Sequence, residues 1–261
     1  SRFTLLTFIG NKIIMSLFKN QTTSPDIADE NDVISTYAPL ESGVYAAKIS
    51  LAYGMTTASG ATGLVLQANT PNGQEFKQTL YTASGNAKGN KNYYQSKSGE
   101  KVYLPDFLKA QSLSLLTCGK QLHELEPETK VVNVYDNTAK ADVPTKVEML
   151  VELLGKDVKL GLVKQKLNKH VKNNSGTYVN DPSGAFYEKT EINKVFRASD
   201  DMTVTEVRAK AENATTINTW EKKWTGKTQD RFTPVDGTSG TPAAATAPSA
   251  SRKPTTSLFT D

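Results

Sequence analysis

The chain is 261 residues long, and its 31 basic against 27 acidic side chains leave a net charge of +4. At 37% hydrophobic and 8% aromatic it supports a modest core with long loops, as one domain or two small ones. No run reaches the roughly eighteen apolar residues that a membrane helix needs, and the single cysteine, Cys118, excludes an internal disulfide or a multi-cysteine zinc site.

Residues 1–14 are short, mixed and apolar, and Met15-Ser16-Leu17-Phe18 reads as a natural start. They are expected to be a non-native or upstream extension, and residues 15–40 a flexible polar arm. Strand signals follow. Gly43 to Tyr53 alternates, with Tyr45, Ala47, Ile49, Leu51 and Tyr53 on one face and Lys48 and Ser50 on the other. Gly63 to Thr70 is a second run, and the turn Pro71-Asn72-Gly73 leads into a third, Gln74 to Ala83. Three strands in this succession predict a β-meander.

Ser84 to Lys101 is rich in Gly, Asn and Lys and too polar for core. Leu104-Pro105-Asp106 then opens a helix that Gly119 stops, with Cys118 as a buried, inert thiol. Val131 to Tyr135 reads as a strand, and Thr145 to Leu154 fits neither period. Lys156 to Lys166 is another strand, and Asn173 to Gly176 a turn. Glu188 to Phe196, Val204 to Ala211 and Asn218 to Trp224 are helix-compatible. Residues 41–227 are thus expected to form one domain, mainly β with added helices. A small β-barrel of the oligonucleotide-binding (OB) type fits best, with a generic β-sandwich close behind. Residues 228–261, dominated by Pro, Ala, Ser, Thr and Gly, predict a disordered low-complexity tail.

Catalytic and metal chemistry finds no constellation. His123 and His170 lack neighbours at ligand spacing. Gly226-Lys227-Thr228 resembles the end of a phosphate loop, but position 221 is Glu where a glycine is required. Gly85 to Asn90 is glycine-rich without the dinucleotide-binding order, and Asp200-Asp201 and Glu124 with Glu126 read as solvated carboxylates. No catalytic residue, metal or cofactor is expected.

Single-strand binding needs a basic groove and aromatic rings on which bases stack. Lys77, Lys88, Lys91, Lys97 and Lys101 interleave with Tyr81, Tyr93, Tyr94 and Tyr103 against one acid, Glu100. On Gln74 to Ala83, parity puts Phe76 and Leu80 inside and Lys77, Thr79 and Tyr81 outside. The following loop is expected to carry mobile lysines, with backbone amides freed by Gly85 and Gly89. A second basic stretch, Lys156 to Lys172, holds Lys164, Lys166 and Lys169 against Asp157 alone; its bland alternative is a solvated strand edge. The expected DNA-binding residues are Lys77, Tyr81, Lys88, Lys91, Tyr93, Tyr94, Lys164, Lys166 and Lys169.

The chain resembles single-stranded DNA-binding proteins of tailed bacteriophages. The resemblance is carried by Met15 to Lys19, Gly43-Val44-Tyr45, Gln78 to Tyr94, Tyr103 to Leu125, Leu153 to Gln165, Glu191 to Phe196 and Trp220 to Lys227, and so spans roughly residues 15–227. It implies an OB-like fold, coating of single strands in replication, recombination and repair, and action in the cytoplasm of an infected bacterium. Many such proteins recruit replication, recombination or transcription proteins through an acidic tail. Here Leu258, Phe259 and Asp261 are the candidates, with one acid where a cluster is usual. The competing expectation is a structural or decoration protein of a virion with a β-barrel core.

Overall fold

A computed structural model describes residues 39–136 and 138–234 of the chain. The expected extension, all but the end of the arm, and the tip residues Leu258, Phe259 and Asp261 lie outside the described residues.

β1 (Gly43–Thr56), β2 (Thr62–Asn69) and β3 (Glu75–Tyr81) form the antiparallel meander that alternation and turn chemistry predict. Gly73 closes the β2–β3 turn at φ +83°, and its N–H donates to the Thr70 carbonyl at 3.0 Å. A left-handed φ costs glycine no Cβ clash.

β1 is not single-faced, however. Its register shifts between Ile49 and Leu51, so Ser50 is an inserted bulge residue. Ahead of the bulge Ala47 and Ile49 enter the main core, and beyond it Ala52 does. Leu51, Tyr53 and Met55 instead join a second cluster with Val65, Val147 and Met149. The expected row from Tyr45 to Tyr53 is therefore broken in the middle.

The polar stretch after β3 folds into a short hairpin, β4 (Tyr93–Gln95) and β5 (Lys101–Tyr103). Helix α1 (Pro105–Cys118) has Pro105 in its first turn and Gly119 as a left-handed cap, the Gly119 N–H donating to Leu115 at 3.1 Å. Cys118 is half-buried and its Sγ donates to the Glu152 carbonyl at 3.3 Å. β6 (Glu128–Asp136) and β7 (Ala141–Met149) make a long hairpin that joins β1 at Tyr53 and Gly54. Thr145 to Leu154 fits neither period because it holds both: the end of β7, then a 3-10 turn over Val151–Leu153.

β8 (Asp157–Asn168) pairs with β1 and with β11 (Phe186–Arg197), and the small hairpin β9 (His170–Lys172) and β10 (Tyr178–Asn180) lies between β8 and β11 in sequence. β8 is thus interior to the sheet, which removes edge protection as an account of its lysines. β11 corrects the helical reading of Glu188 to Phe196. A register shift between Ile192 and Lys194 makes Asn193 a bulge, so Ile192 and Val195 face the main core and Phe196 the opposite cluster. Apolar spacing of i, i+3, i+4 signals a helix, and a bulged strand produces the same spacing.

α2 (Val204–Arg208) and α3 (Thr216–Trp224) follow as expected, and Ile217 and Trp220 pack on Val163 and Phe196. Gly161 permits that packing: a Cβ there would lie 3.1 Å from both the Phe196 and Trp220 rings. Order does not stop at 227. Thr228–Asp230 forms β12, parallel to Lys164–Lys166, and the Asn168 side chain exchanges two hydrogen bonds with Thr233 at 2.7 and 2.8 Å. The expected boundary of the tail at 228 is therefore too early.

The main sheet runs β11-β8-β1-β2-β3. All of these strands and α1 contribute to one core, including Ile49, Leu66, Leu80, Leu113, Leu160 and Ile192. β3 and β11 are not paired with each other. α1 packs against both, and the Gln78 Oε1 accepts from the Ile192 N–H at 2.7 Å. The fold is mainly β with a few helices, and among the described residues no helix is long and apolar enough to cross a membrane.

Candidate nucleic-acid interface

Strand parity decides where Tyr81 points. On β3, Phe76 and Leu80 are buried at 7% and 0% exposure, while Lys77 is exposed and Tyr81 is 46% exposed on the opposite face. The alternation read from sequence holds here because no bulge interrupts β3.

Tyr81 lies at one wall of an open cleft of about 880 Å³, together with Lys88, Lys91, Tyr93, Tyr94 and Lys101. Five of the expected residues thus meet in one place. The β4–β5 pairing explains how: Tyr93 sits opposite Tyr103, and Lys101 opposite Gln95. The Tyr93 ring is flanked by the Lys101 ammonium at 5.2 Å and the Lys91 ammonium at 5.7 Å from its centroid. Both distances suit a cation over an aromatic face. Lys101 belongs to the cleft although the sequence reading left it out of the expected DNA-binding residues. The Ser98-Gly99 turn between two Tyr-bearing segments was the available signal.

The cleft is braced from below. The Asp106 Oδ2 accepts from the Tyr81 backbone N–H at 3.2 Å, tying the start of α1 to the end of β3, and its Oδ1 holds Lys109 at 2.9 Å. The loop is pinned to the β1–β2 turn by the Asn86 N–H donating to the Ser59 carbonyl at 2.8 Å. Gly85 is required there, since a Cβ would stand 2.6 Å from that same carbonyl oxygen. This corrects the expectation of freed amides. The N–H groups of Asn86, Lys88, Gly89 and Asn90 are all taken by protein carbonyls. What the loop offers a ligand is its side chains. Among the described residues, Lys77, Lys88, Lys91, Lys97 and Lys101 make no salt bridge.

Lys77 shares the outer face of β3 but does not line the cleft. The second basic stretch does not reach it either, and its lysines differ from one another. Lys164 is corrected most clearly. Its side chain is 14% exposed and pairs with Glu41 at 2.8 Å and Glu188 at 3.0 Å. Those hydrogen-bonded carboxylates raise its pKa and occupy two of its three donors. Lys166 lies between two rings, its ammonium 4.4 Å from the centroid of Phe186 and 5.1 Å from that of Phe232. Lys169 is exposed where β8 passes into β9. Phe186 at 52%, Tyr187 at 42% and Tyr178 at 65% exposure surround this second patch, and Lys172 lies 5.4 Å from the Tyr178 ring. Sequence reasoning missed Phe186 and Phe232. The first was assigned to no element, and the second fell in the presumed tail.

The carboxylates are engaged locally. Asp200 pairs with Arg197, Asp201 with Lys159, and Glu124 caps its own short turn through the Gln121 N–H. His123 and His170 are exposed, and the described residues contain no cluster of three or more metal-ligating side chains. Compared with protein-family models and with curated proteins, the chain matches none.

Proposed function

We propose that this chain binds single-stranded DNA without sequence preference, coating and protecting it during phage DNA replication and recombination, and catalyses no reaction. The observation that carries this reading is the cleft itself. Three tyrosines and three lysines without salt-bridge partners among the described residues converge on one open surface. Rings for base stacking beside cations for phosphates are the requirements of single-strand binding. An open cleft between a strand end and a hairpin admits unstacked bases, which a duplex does not offer.

The strand arrangement supports an OB-like barrel as the scaffold. A meander is followed by a helix, and then by two long antiparallel strands, of which the first lies beside β1. A five-stranded, partly open barrel of OB type takes oligonucleotides on its second and third strands and on the loops after its first and fourth. The corresponding parts here are β2–β3, the turn over 57–61 and the β9–β10 hairpin. The cleft is lined by Ala61 of that turn and Tyr81 of β3, and the Lys166–Phe186–Phe232 cluster beside the hairpin is a second stacking patch.

A lysine series tests the assignment of phosphate contacts. Each contact with a single strand contributes about 0.7 to the slope of log affinity against log salt. Lys91→Ala and Lys101→Ala are each expected to lower the slope magnitude by about that amount. Lys164→Ala, already paired with two carboxylates, is expected to leave it unchanged. Equal effects at Lys91 and Lys164 in oligo-dT titrations would sink the assignment.

A further inference from the structure

The β6–β7 hairpin carries an uncovered strand edge. It joins the sheet where Glu148 and Met149 of β7 meet Gly54 and Tyr53 of β1, and among the described residues β6 pairs with β7 alone. Free N–H and C=O groups on an edge invite another strand, so edges are usually blunted by shortness, proline, bulges or charge. The outer edge of β7 is blunted by Pro144 at its middle. β6 is nine residues long, has neither proline nor glycine, and keeps an unbroken register with β7. Thr129, Val131, Val132, Val134 and Tyr135 all suit a strand. Val131 and Tyr135 stand 63% and 56% exposed on one face, while Val132 and Val134 pack against the second core cluster from the other.

The residues along β6 are complementary to themselves. A second copy added antiparallel, about a two-fold axis perpendicular to the sheet, keeps every side chain on its own face, so residues of like parity meet. With Asn133 on the axis, Lys130 meets Asp136 of the second copy, Val131 meets Tyr135, and Val132 meets Val134. Opposite charges and aromatic with β-branched residues are the cross-strand pairs that stabilise antiparallel sheets. The neighbouring registers lack this match. Centring on Val132 sets Glu128 against Asp136, and centring on Val134 sets Val132 against Asp136. Both charged groups can serve. Asp136 is held in place by its turn, its Oδ1 accepting from the Thr138 and Ala139 N–H groups, and it makes no salt bridge among the described residues. Lys130 pairs with Glu128 at 2.7 Å, an exposed contact that is readily exchanged.

We infer that β6 is a self-association edge, on which a second copy of this chain pairs its own β6 antiparallel, with Asn133 on the two-fold axis. The sheet then runs continuously through both copies. One strand edge is small beside the interface of an obligate dimer, so the association is reversible and follows concentration. The hairpin contributes no residue to the tyrosine cleft, and the edge stands whether or not that cleft takes DNA.

The test uses the full chain without DNA. Sedimentation velocity over a concentration series is expected to show a monomer passing into a dimer. Lys130→Glu turns both attractive pairs repulsive and should raise the dissociation constant by about tenfold or more. Mixing it with Asp136→Lys should restore the dimer, since each copy then offers the charge the other lacks. Asp136→Lys also gives up the turn contacts, so a cross-link tests the register independently. Under mild oxidation Asn133→Cys is expected to form a disulfide dimer, because its two copies face each other on the axis. Thr129→Cys, equally exposed on the same face, should form none, since in this register its two copies stand roughly 26 Å apart. Cys118 is present in both variants and adds the same background. A chain that stays monomeric at every concentration would overturn the inference. So would a dimer that Lys130→Glu leaves intact, or equal cross-linking at the two cysteine positions, either of which places the contact elsewhere.

Discussion

Replacing Tyr81 and Tyr93 together by alanine is expected to weaken oligo-dT binding by about 30-fold to 10⁴-fold, while the protein stays folded. Each stacked base is worth about 1–3 kcal/mol by alanine substitution. The two rings line one cleft, so their losses accumulate on the same strand. The protein should tolerate the change, because Tyr81 is 46% exposed and belongs to none of the core clusters. The neighbouring core residues Phe76 and Leu80 are untouched. No phosphate contact is removed, so the salt slope should hardly change. That separates stacking from charge: the tyrosine variants shift the affinity line, and the lysine variants tilt it. Fluorescence titration at several salt concentrations, with a thermal melt of each variant, reads both. A stable double variant that binds normally would remove the tyrosines from the site.

Glu206→Ala is expected to cause the largest loss of stability, about 3 kcal/mol. For a domain of this size that lowers the melting temperature by roughly 6–12 °C. Glu206 is 8% exposed and accepts the amide and hydroxyl hydrogens of Thr203, Thr215 and Thr216. It closes the capping box of α2 and also sits at the start of α3, where an anion suits the helix dipole. α3 in turn carries Ile217 and Trp220 onto β8 and β11. Burial alone would raise the carboxyl pKa, but the donated hydrogen bonds outweigh it and hold the group far below the usual carboxylate range. Because the folded pKa is depressed, the stabilisation is complete above the unfolded value of about 4.3. It is lost progressively as pH falls below that value toward the folded one. The parent chain should therefore lose stability steeply below about pH 4.3, and Glu206→Ala should show a shallower acid limb. Denaturant melts between neutral pH and pH 3 would show it, and parallel acid limbs in the two proteins would refute this role.

The sequence was readable where a strand keeps its pleat and unreadable where it does not. β3 has no bulge, and its alternation put Lys77 and Tyr81 outside and Phe76 and Leu80 inside, as found. β1 and β11 each carry one inserted residue, Ser50 and Asn193, which moves the buried set from one parity to the other. In β11 the result imitates a helix. Asn193 has a further reason to be there: its Oδ1 accepts from the Trp220 indole N–H at 2.7 Å, a contact 27 residues away in sequence.

The candidate site divides along the same line. Tyr81, Lys88, Lys91, Tyr93 and Tyr94 lie close together in sequence, so a local reading could gather them into one cleft. The second basic stretch could not be sorted locally. What distinguishes Lys164 from Lys166 is Glu41 and Glu188 for the one and Phe186 and Phe232 for the other, and those partners come from distant segments. The role of Gly85 was hidden for the same reason: it is set by the Ser59 carbonyl of another turn.

Single-strand binding is tested by a fluorescence titration of the full chain with oligo-dT and with a duplex of matching length, each across a range of salt concentrations. Stacking needs unpaired bases, so affinity for the single strand should exceed that for the duplex by at least about tenfold, and it should fall as salt rises through counterion release. Equal affinity for the two forms, or no binding to oligo-dT at low salt, would contradict the account.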